Sequence, residues 1–535
     1  MSDPVAQLSS TVSAAAAALA GDGRVERPNL SRPPRADFGD YSTNAAMLLA
    51  PTLGESPRAI AARLGDELGE RLGATVDRVE IAGPGFLNLF MADAWYLDAL
   101  ATLLRAGERY GAGERGGRMN VEYVSANPTG PITVASGRHA AYGDSLCRIL
   151  EFAGSEVDRE YYINDYGSQV RKFGEAIRAR ARGEEPHEYR GEYVAELASR
   201  IEGAADADPD ELARRGIDLV LDGLRATFER FRVGIDRFFS ERSLHESGAL
   251  DAALARLDGL YEHEGALWLR TTDHGDDKDR VVRRSNGEYT YFASDIAYHV
   301  DKLERGYGRA IDVWGADHHG YVSRTLAVWR ALGGDPEGLE IVLMQLVNLT
   351  EGGRRVQVSK RAGRIVTLDD LIDDVGVDAA RWFLVSRSHE TTLDLDLELA
   401  RRQSQDNPVY YVQYAHARIA SILRKAGEER VAAALRADLS ASDERFHPSA
   451  RALVKRLLEL PGVVLDAGER RAPHRITAYA HETAQEFSAF YRDCRVLGAA
   501  EDGGDEDVRL VICVLTRRVV ARALDLLGVQ APESM

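Results

Sequence analysis

Hydrophobic positions change their spacing along the chain in a way that divides it into three parts. Residues 1 to about 95 carry helical periods, with a first helix expected around the alanine run Ala14 to Ala18, and they close on the stretch IAGPGFLNLF at 81–90. There a Gly-Pro-Gly corner leads into strand-like alternation. From about 115 to 400, short apolar runs (MNVEYV, IDVWGA, EIVLMQLV) alternate with helical segments. That order predicts a parallel sheet covered by helices on both faces. Acidic helical segments between about 165 and 285 interrupt it and are expected to form a connective insertion. Beyond 400 the period is helical to the end. The expected fold is α/β, with an N-terminal α+β domain (1–112), a Rossmann-like parallel-sheet domain (113–400) and an all-α C-terminal domain (401–535).

Composition refines this picture. A chain of 535 residues with 44% hydrophobic content exceeds one core and fills several. The three cysteines, Cys147, Cys494 and Cys513, are too widely spaced for a zinc knuckle or a disulfide framework, which suits a reducing compartment. No apolar stretch is long enough to span a membrane, and the N-terminus has Asp3 and no basic start. A cytoplasmic protein without membrane contact is expected. The net charge of −18 weighs against a nucleic-acid partner only superficially. Global charge governs solubility and steering, and a local basic face still binds phosphates. Lysine occurs only at 172, 278, 302, 360, 425 and 455.

Lys360 stands in one of two segments that carry candidate chemistry, NPTGPITVASGR at 127–138 and QVSKRAG at 357–363. The first follows a strand and opens a helix, where backbone N–H groups and the helix dipole make an anion site. Gly130 and Gly137 let a nucleotide approach the main chain closely. Thr133 and Ser136 are neutral donors, and His139, three residues beyond Ser136, is placed to supply an imidazole. Lys360, a point charge on a long stem, suits a migrating phosphate. Together the segments resemble the ATP site of class I aminoacyl-tRNA synthetases. Thr133-Val134-Ala135-Ser136 stands where that class has His-x-Gly-His, and Gln357 stands at the first lysine of its Lys-Met-Ser-Lys-Ser loop, with Ser359-Lys360-Arg361 intact. Arg354 and Arg355, just upstream, are candidates to replace that lysine.

A second constellation suits a guanidinium, which takes bidentate bonds from carboxylates and stacks on an aromatic plane. Glu122 and Asn127 flank the end of the first strand, while Tyr291 and Asp295 share one helix face at i, i+4. Each alone reads equally as a sheet edge or a solvated helix. Gly315-Ala316-Asp317-His318-His319-Gly320 invites a metal reading, but adjacent histidines on an extended segment diverge and no further ligand follows, so no metal is expected.

VEYVSANPTGP, YTYFASDIAY, NPVYYVQYAHARI, FYRDCRVL and the terminal LLGVQAPESM resemble, in order, segments of the arginyl-tRNA synthetase family. The resemblance implies an arginine–tRNA ligase that uses ATP with Mg2+ as a substrate complex, holds no tight cofactor, and acts as a monomer on L-arginine and tRNA(Arg). It implies catalytic roles for Thr133, Ser136, His139, Ser359 and Lys360, and ATP contacts from Pro128, Gly130, Gly137, Arg138, Gly315, Asp317 and His318. Glu122, Ser125, Asn127, Tyr291 and Asp295 would bind arginine. Phe86 and Asn88 would meet the tRNA elbow, and Tyr410, Tyr414, Arg418 and Met535 would belong to a helical anticodon-binding domain. The altered His-x-Gly-His turn leaves one alternative, a catalytically weak paralogue that binds tRNA or regulates.

Overall fold

Asp3 caps the first helix, Pro4–Ala20, by accepting a hydrogen bond from Val5 N at 2.9 Å, with Pro4 at its first position. This helix packs with Pro57–Leu72, itself capped by Ser56, beside a four-stranded antiparallel sheet. Leu8, Val12, Leu64, Leu87 and Leu89 are buried there. The computed structural model describes residues 3–21, 23, 26–356 and 367–535.

The central domain is built on five parallel strands, β1 (Arg118–Glu122), β2 (Glu156–Ile163), β3 (Arg237–Ser240), β4 (Arg309–Gly315) and β5 (Leu339–Met344). Their order is β3-β2-β1-β4-β5, so the topology reverses between β1 and β4. A ligand crevice forms outside the strand ends at such a reversal. Helix α1 (Val134–Phe152) follows β1 and is buried along most of its length. It approaches β1 so closely that a Cβ at Gly143 would lie 2.2 Å from the Tyr123 ring. Helix α2 (Tyr291–Glu304) precedes β4.

The stretch 165–285 is not one insertion. β3, inside it, is the edge strand of the parallel sheet and pairs with β2 through Tyr161↔Phe238. Helices 168–181, 192–200 and 209–230 are the crossover between those strands. A separate three-stranded antiparallel sheet occupies 260–283. β3 is only four residues long, too short for its alternation to register against the helices around it.

Lys302 lies at the centre of this domain and is fully buried. Its ammonium donates to Glu122 at 2.7 Å and Asp312 at 2.6 Å, tying α2 to the end of β1 and the middle of β4. The Tyr298 hydroxyl bridges Glu122 (2.9 Å) and Glu160 (2.6 Å), and Arg305 grips both oxygens of Glu160. Burial opposes the charge on Lys302, but Asp312, Glu122 and Glu160 outweigh it and hold its pKa above the ordinary lysine range.

The C-terminal domain is helical, built around α3 (Pro408–Ala426), α4 (His474–Asp493) and α5 (Glu506–Leu526). It meets the N-terminal domain through Lys455–Asp40 (2.7 Å) and Arg451–Asp93 (2.6 Å). Arg381, fully buried, joins it to the central domain by donating to Asp144 (2.6 Å), Leu527 O (2.8 Å) and Phe231 O (2.8 Å).

Removing Lys302 strands two buried carboxylates. Lys302→Met is therefore expected to destabilise the protein by about 3–5 kcal/mol in denaturant unfolding. Lys425→Met, at an exposed position, should change stability by less than about 0.5 kcal/mol. Equal, small effects would show that the network carries no stability.

Candidate active site

The chain leaves β1 through a strained turn. Val124 and Ser125 have φ of 70° and 38°, and a β-branched residue in that region costs of order 1–3 kcal/mol. Surrounding bonds hold the turn in place. The Ser125 hydroxyl donates to Glu122 at 2.8 Å and accepts from Tyr162 N at 3.1 Å, while the Tyr161 hydroxyl donates to Ala126 O at 2.6 Å. The turn leaves Asn127 exposed at the crevice and Pro128 buried beneath it.

Glu122 does not stand open to a ligand as its sequence position suggests. It is 5% exposed, and Lys302, Tyr298 and Ser125 occupy its oxygens. The open carboxylate is Asp295, on α2 one turn beyond the 54% exposed Tyr291. Burial raises the Asp295 pKa to about 6, against the pull of His299 and Arg324. A second carboxylate, Glu241, escaped sequence reasoning because Phe-Ser-Glu-Arg carries no spacing signal. It is 2% exposed, and burial raises its pKa to about 7, with Asp295 adding repulsion despite the hydrogen bond from Ser294. Glu241, Tyr291 and Ser294 line a cavity of about 790 Å³ together with Asp165, Tyr166 and His245. Glu241, which lines the cavity, and Asp295, next in sequence to the lining Ser294, both have raised pKa values beside a network of three carboxylates (Glu122, Glu160, Asp312) and two cations (Lys302, Arg305), a charge arrangement suited to a cation.

The turn at 133–136 lies beside this pocket. Thr133 caps α1, its Oγ1 accepting from Ser136 N at 3.3 Å, so the helix amides face the crevice without an imidazole in front. His139 is pressed under the β4 exit: the position a Cβ would take at Gly315 is 3.8 Å from His139 Cε1. Burial and the neighbouring Arg138 lower its pKa to about 4, so the ring is neutral and does not supply the missing positive charge. Asp317 and His318 are exposed beyond Gly315, with an Nε2–Oδ2 distance of 3.7 Å between them. Leu346, 63% exposed just past β5, completes this trough and was not foreseen, since it reads as the end of an apolar run.

Two expected ATP contacts prove to be packing residues. Gly137 is buried, and a Cβ there would lie 2.7 Å from Leu368, so its small size admits that side chain. Arg138 is 1% exposed, and main-chain carbonyls take up its terminal nitrogens. Gly130 faces Tyr193, whose ring lies 3.2 Å from the position of a Cβ. Ser359, Lys360 and the rest of 357–363 lie outside the described residues. Thr367, on their far side, bridges to Thr133, and Leu368 N donates to Ile132 O at 2.8 Å. The chain at 367–368 therefore meets the 127–138 segment.

Distant expectations divide in the same way. Phe86 is 39% exposed, but Asn88 is 5% exposed and its Oδ1 accepts from Ser42 at 2.9 Å, so the amide is not displayed beside the ring. Strand alternation does not separate 86 from 88; pairing to residues 41–43 buries only the second. On α3, Tyr414 is 41% exposed and Arg418 donates to the Tyr491 hydroxyl of α4 at 3.0 Å, 4.9 Å from that ring's centre. Tyr410 is half-buried and lines a cleft with Met535.

Fold and crevice define a class I aminoacyl-tRNA synthetase. Three family models match the chain: the arginyl tRNA synthetase N terminal domain (6–91), the class I (R) tRNA synthetase catalytic domain (204–398) and the DALR anticodon binding domain (412–535). The chain is 46% identical to an arginine–tRNA ligase of Frankia alni over 95% of this chain and 94% of that one. It is 44% identical to that of Desulfosudis oleivorans, with the same coverage. The Thermus thermophilus arginyl-tRNA synthetase structure superimposes with a TM-score of 0.76 at 25% identity, over 99% of this chain and 100% of that one. The chain belongs to the arginine–tRNA ligase family.

A carboxylate attracts a cation only when ionised, and raised pKa values of about 6 for Asp295 and about 7 for Glu241 place their protonation at and just below neutrality. Binding of a guanidinium ligand, measured by calorimetry, is therefore expected to weaken by at least about tenfold between roughly pH 7.5 and pH 5. Asp295→Asn combined with Glu241→Gln should flatten that profile; an unchanged profile would place the cation elsewhere.

Proposed function

We propose that the crevice binds L-arginine with its guanidinium between Asp295 and Glu241 and across Tyr291, while Ser125 and Asn127 hold the α-amino and carboxylate groups. Glu122 acts from behind, adding negative potential through the buried network. ATP, brought with Mg2+ as a substrate complex, lies along the α1 N-terminus, its adenine between Gly315 and Leu346 and its ribose near His318. The arginine carboxylate attacks the α-phosphorus and pyrophosphate leaves. The 3′-terminal hydroxyl of tRNA(Arg) then attacks the adenylate carbonyl, and AMP leaves. Amides of the first turn of α1, with Thr133 and Ser136, stabilise the developing charge at the phosphorus. The sequence pattern gives Lys360 the departing pyrophosphate.

The observation that carries this reading is the pair of raised-pKa carboxylates, Glu241 lining a cavity and Asp295 next to the lining Ser294, beside a buried network rich in carboxylates. Arginine-dependent ATP–pyrophosphate exchange, assayed with and without tRNA(Arg), tests it directly. No structural observation favours a purely RNA-binding role.

Asp295→Asn keeps the side-chain size and loses a charge-assisted bond. It is expected to raise the arginine KM by roughly ten- to a hundredfold with the ATP KM within about twofold of wild type. Equal changes in both constants would make Asp295 structural.

Lys360→Ala is expected to slow adenylate formation by about 10²-fold or more, the usual effect of losing one charge-stabilising donor. Single-turnover formation at near the wild-type rate would remove the lysine from the mechanism.

A further inference from the structure

We propose that Arg138 is a positioning residue for ATP, fixing the spacing between the subsite for the adenine and the subsite for the phosphates. The proposal rests on the assignment of the trough over α1, β4 and β5 to ATP.

Arg138 lies in the second turn of α1, directly behind the amides of 134–136. Its Nη1 donates to Gln345 O at 2.7 Å and Leu346 O at 3.3 Å, and its Nη2 to Ser388 O at 2.9 Å and Thr391 O at 3.0 Å. Those acceptors belong to the β5 exit and to the segment joining helix Val377–Val385 to strand Leu393–Asp396, which lie side by side: Gln345 N donates to His389 O at 2.8 Å and Leu393 N to Leu346 O at 2.9 Å. One guanidinium thus fastens the helix that presents the phosphate amides to the strand exit that presents Leu346. His139, the next residue, packs under Gly315 between them. Helix, β4 exit and β5 exit are the three walls of the trough, and Arg138 sets their separation from below.

The residue type fits this task. Only a planar fork reaches four acceptors in two directions at once, which a lysine ammonium on the same stem does not. Among the described residues Arg138 has no ion pair, and its Nε is buried without a partner. Burial lowers its pKa to about 10, so it is charged at neutral pH and compensated by carbonyl dipoles alone. A cation kept at that cost in a chain that lacks both turn histidines points to a role in the geometry of the site.

ATP is two linked ligands, and linked binding exceeds the sum of its parts only when the spacing of the subsites matches the link. Steady-state charging of tRNA(Arg) with labelled arginine provides the test, with adenosine and pyrophosphate as separate inhibitors at varied ATP. For Arg138→Lys the ATP KM is expected to rise at least about tenfold and kcat to fall about 10²-fold, while the inhibition constants of adenosine and of pyrophosphate and the arginine KM stay within about twofold. Loss of all three affinities together, or an unchanged ATP KM and kcat, would overturn the proposal. If Arg138→Lys does not fold, Arg138→Ala in millimolar guanidinium replaces it: recovery of the ATP KM with guanidinium but not with ammonium supports the role, and no recovery refutes it. Absence of charging by the wild-type protein would instead count against the assignment of the trough.

Discussion

Much of the central domain depends on one buried cation. Lys302 joins α2 to the end of β1 and the middle of β4, the two strands between which the sheet reverses, and it does so from a position without solvent. Its partners cannot be separated without leaving a charge uncompensated in a low dielectric, so the crevice has a fixed width. The same network holds more carboxylates than cations, and that excess lies beneath the pocket where Asp295 and Glu241 wait with raised pKa. The interaction that fixes the fold therefore also leaves an excess of negative charge beside that pocket.

Strain and compensation are concentrated around the β1 exit. The left-handed conformations of Val124 and Ser125 persist because Glu122, Tyr161 and Tyr162 over-determine them, and they aim Asn127 into the crevice. A few residues on, the altered turn is not a damaged one in a structural sense. Thr133 caps α1 well and bridges to Thr367, so the helix amides are presented firmly. What the turn lacks is charge, and the neutral His139 does not restore it.

The seams between domains are polar and partly buried. Asp40–Lys455 joins the N- and C-terminal domains and Arg381–Leu527 O the central and C-terminal ones, and Arg381 also binds Asp144, on α1 itself. The same guanidinium binds the crossover at Phe231. Helix α1 is thus packed by every part of the central domain and by the C-terminal helices. This explains why Gly137 and Gly143 are glycines for reasons of packing and not of ligand approach.

The sequence by itself determined the three-part order, the parallel sheet, the helix bearing Tyr291 and Asp295, and the strand-to-helix turn at 127–138. These are local patterns: alternation, an i, i+4 stripe and strand-to-helix turns each lie within a dozen residues. Membership of β3 in the sheet, burial of Asn88, occupation of Glu122, the carbonyl cage around Arg138 and the participation of Glu241 and Leu346 were decided only by tertiary structure. In each case the deciding partner is far along the chain, Lys302 for Glu122 and Gln345 to Thr391 for Arg138. Residue type shows that a charge is present, but only the packed fold determines whether it faces a ligand, a counter-ion or a backbone carbonyl.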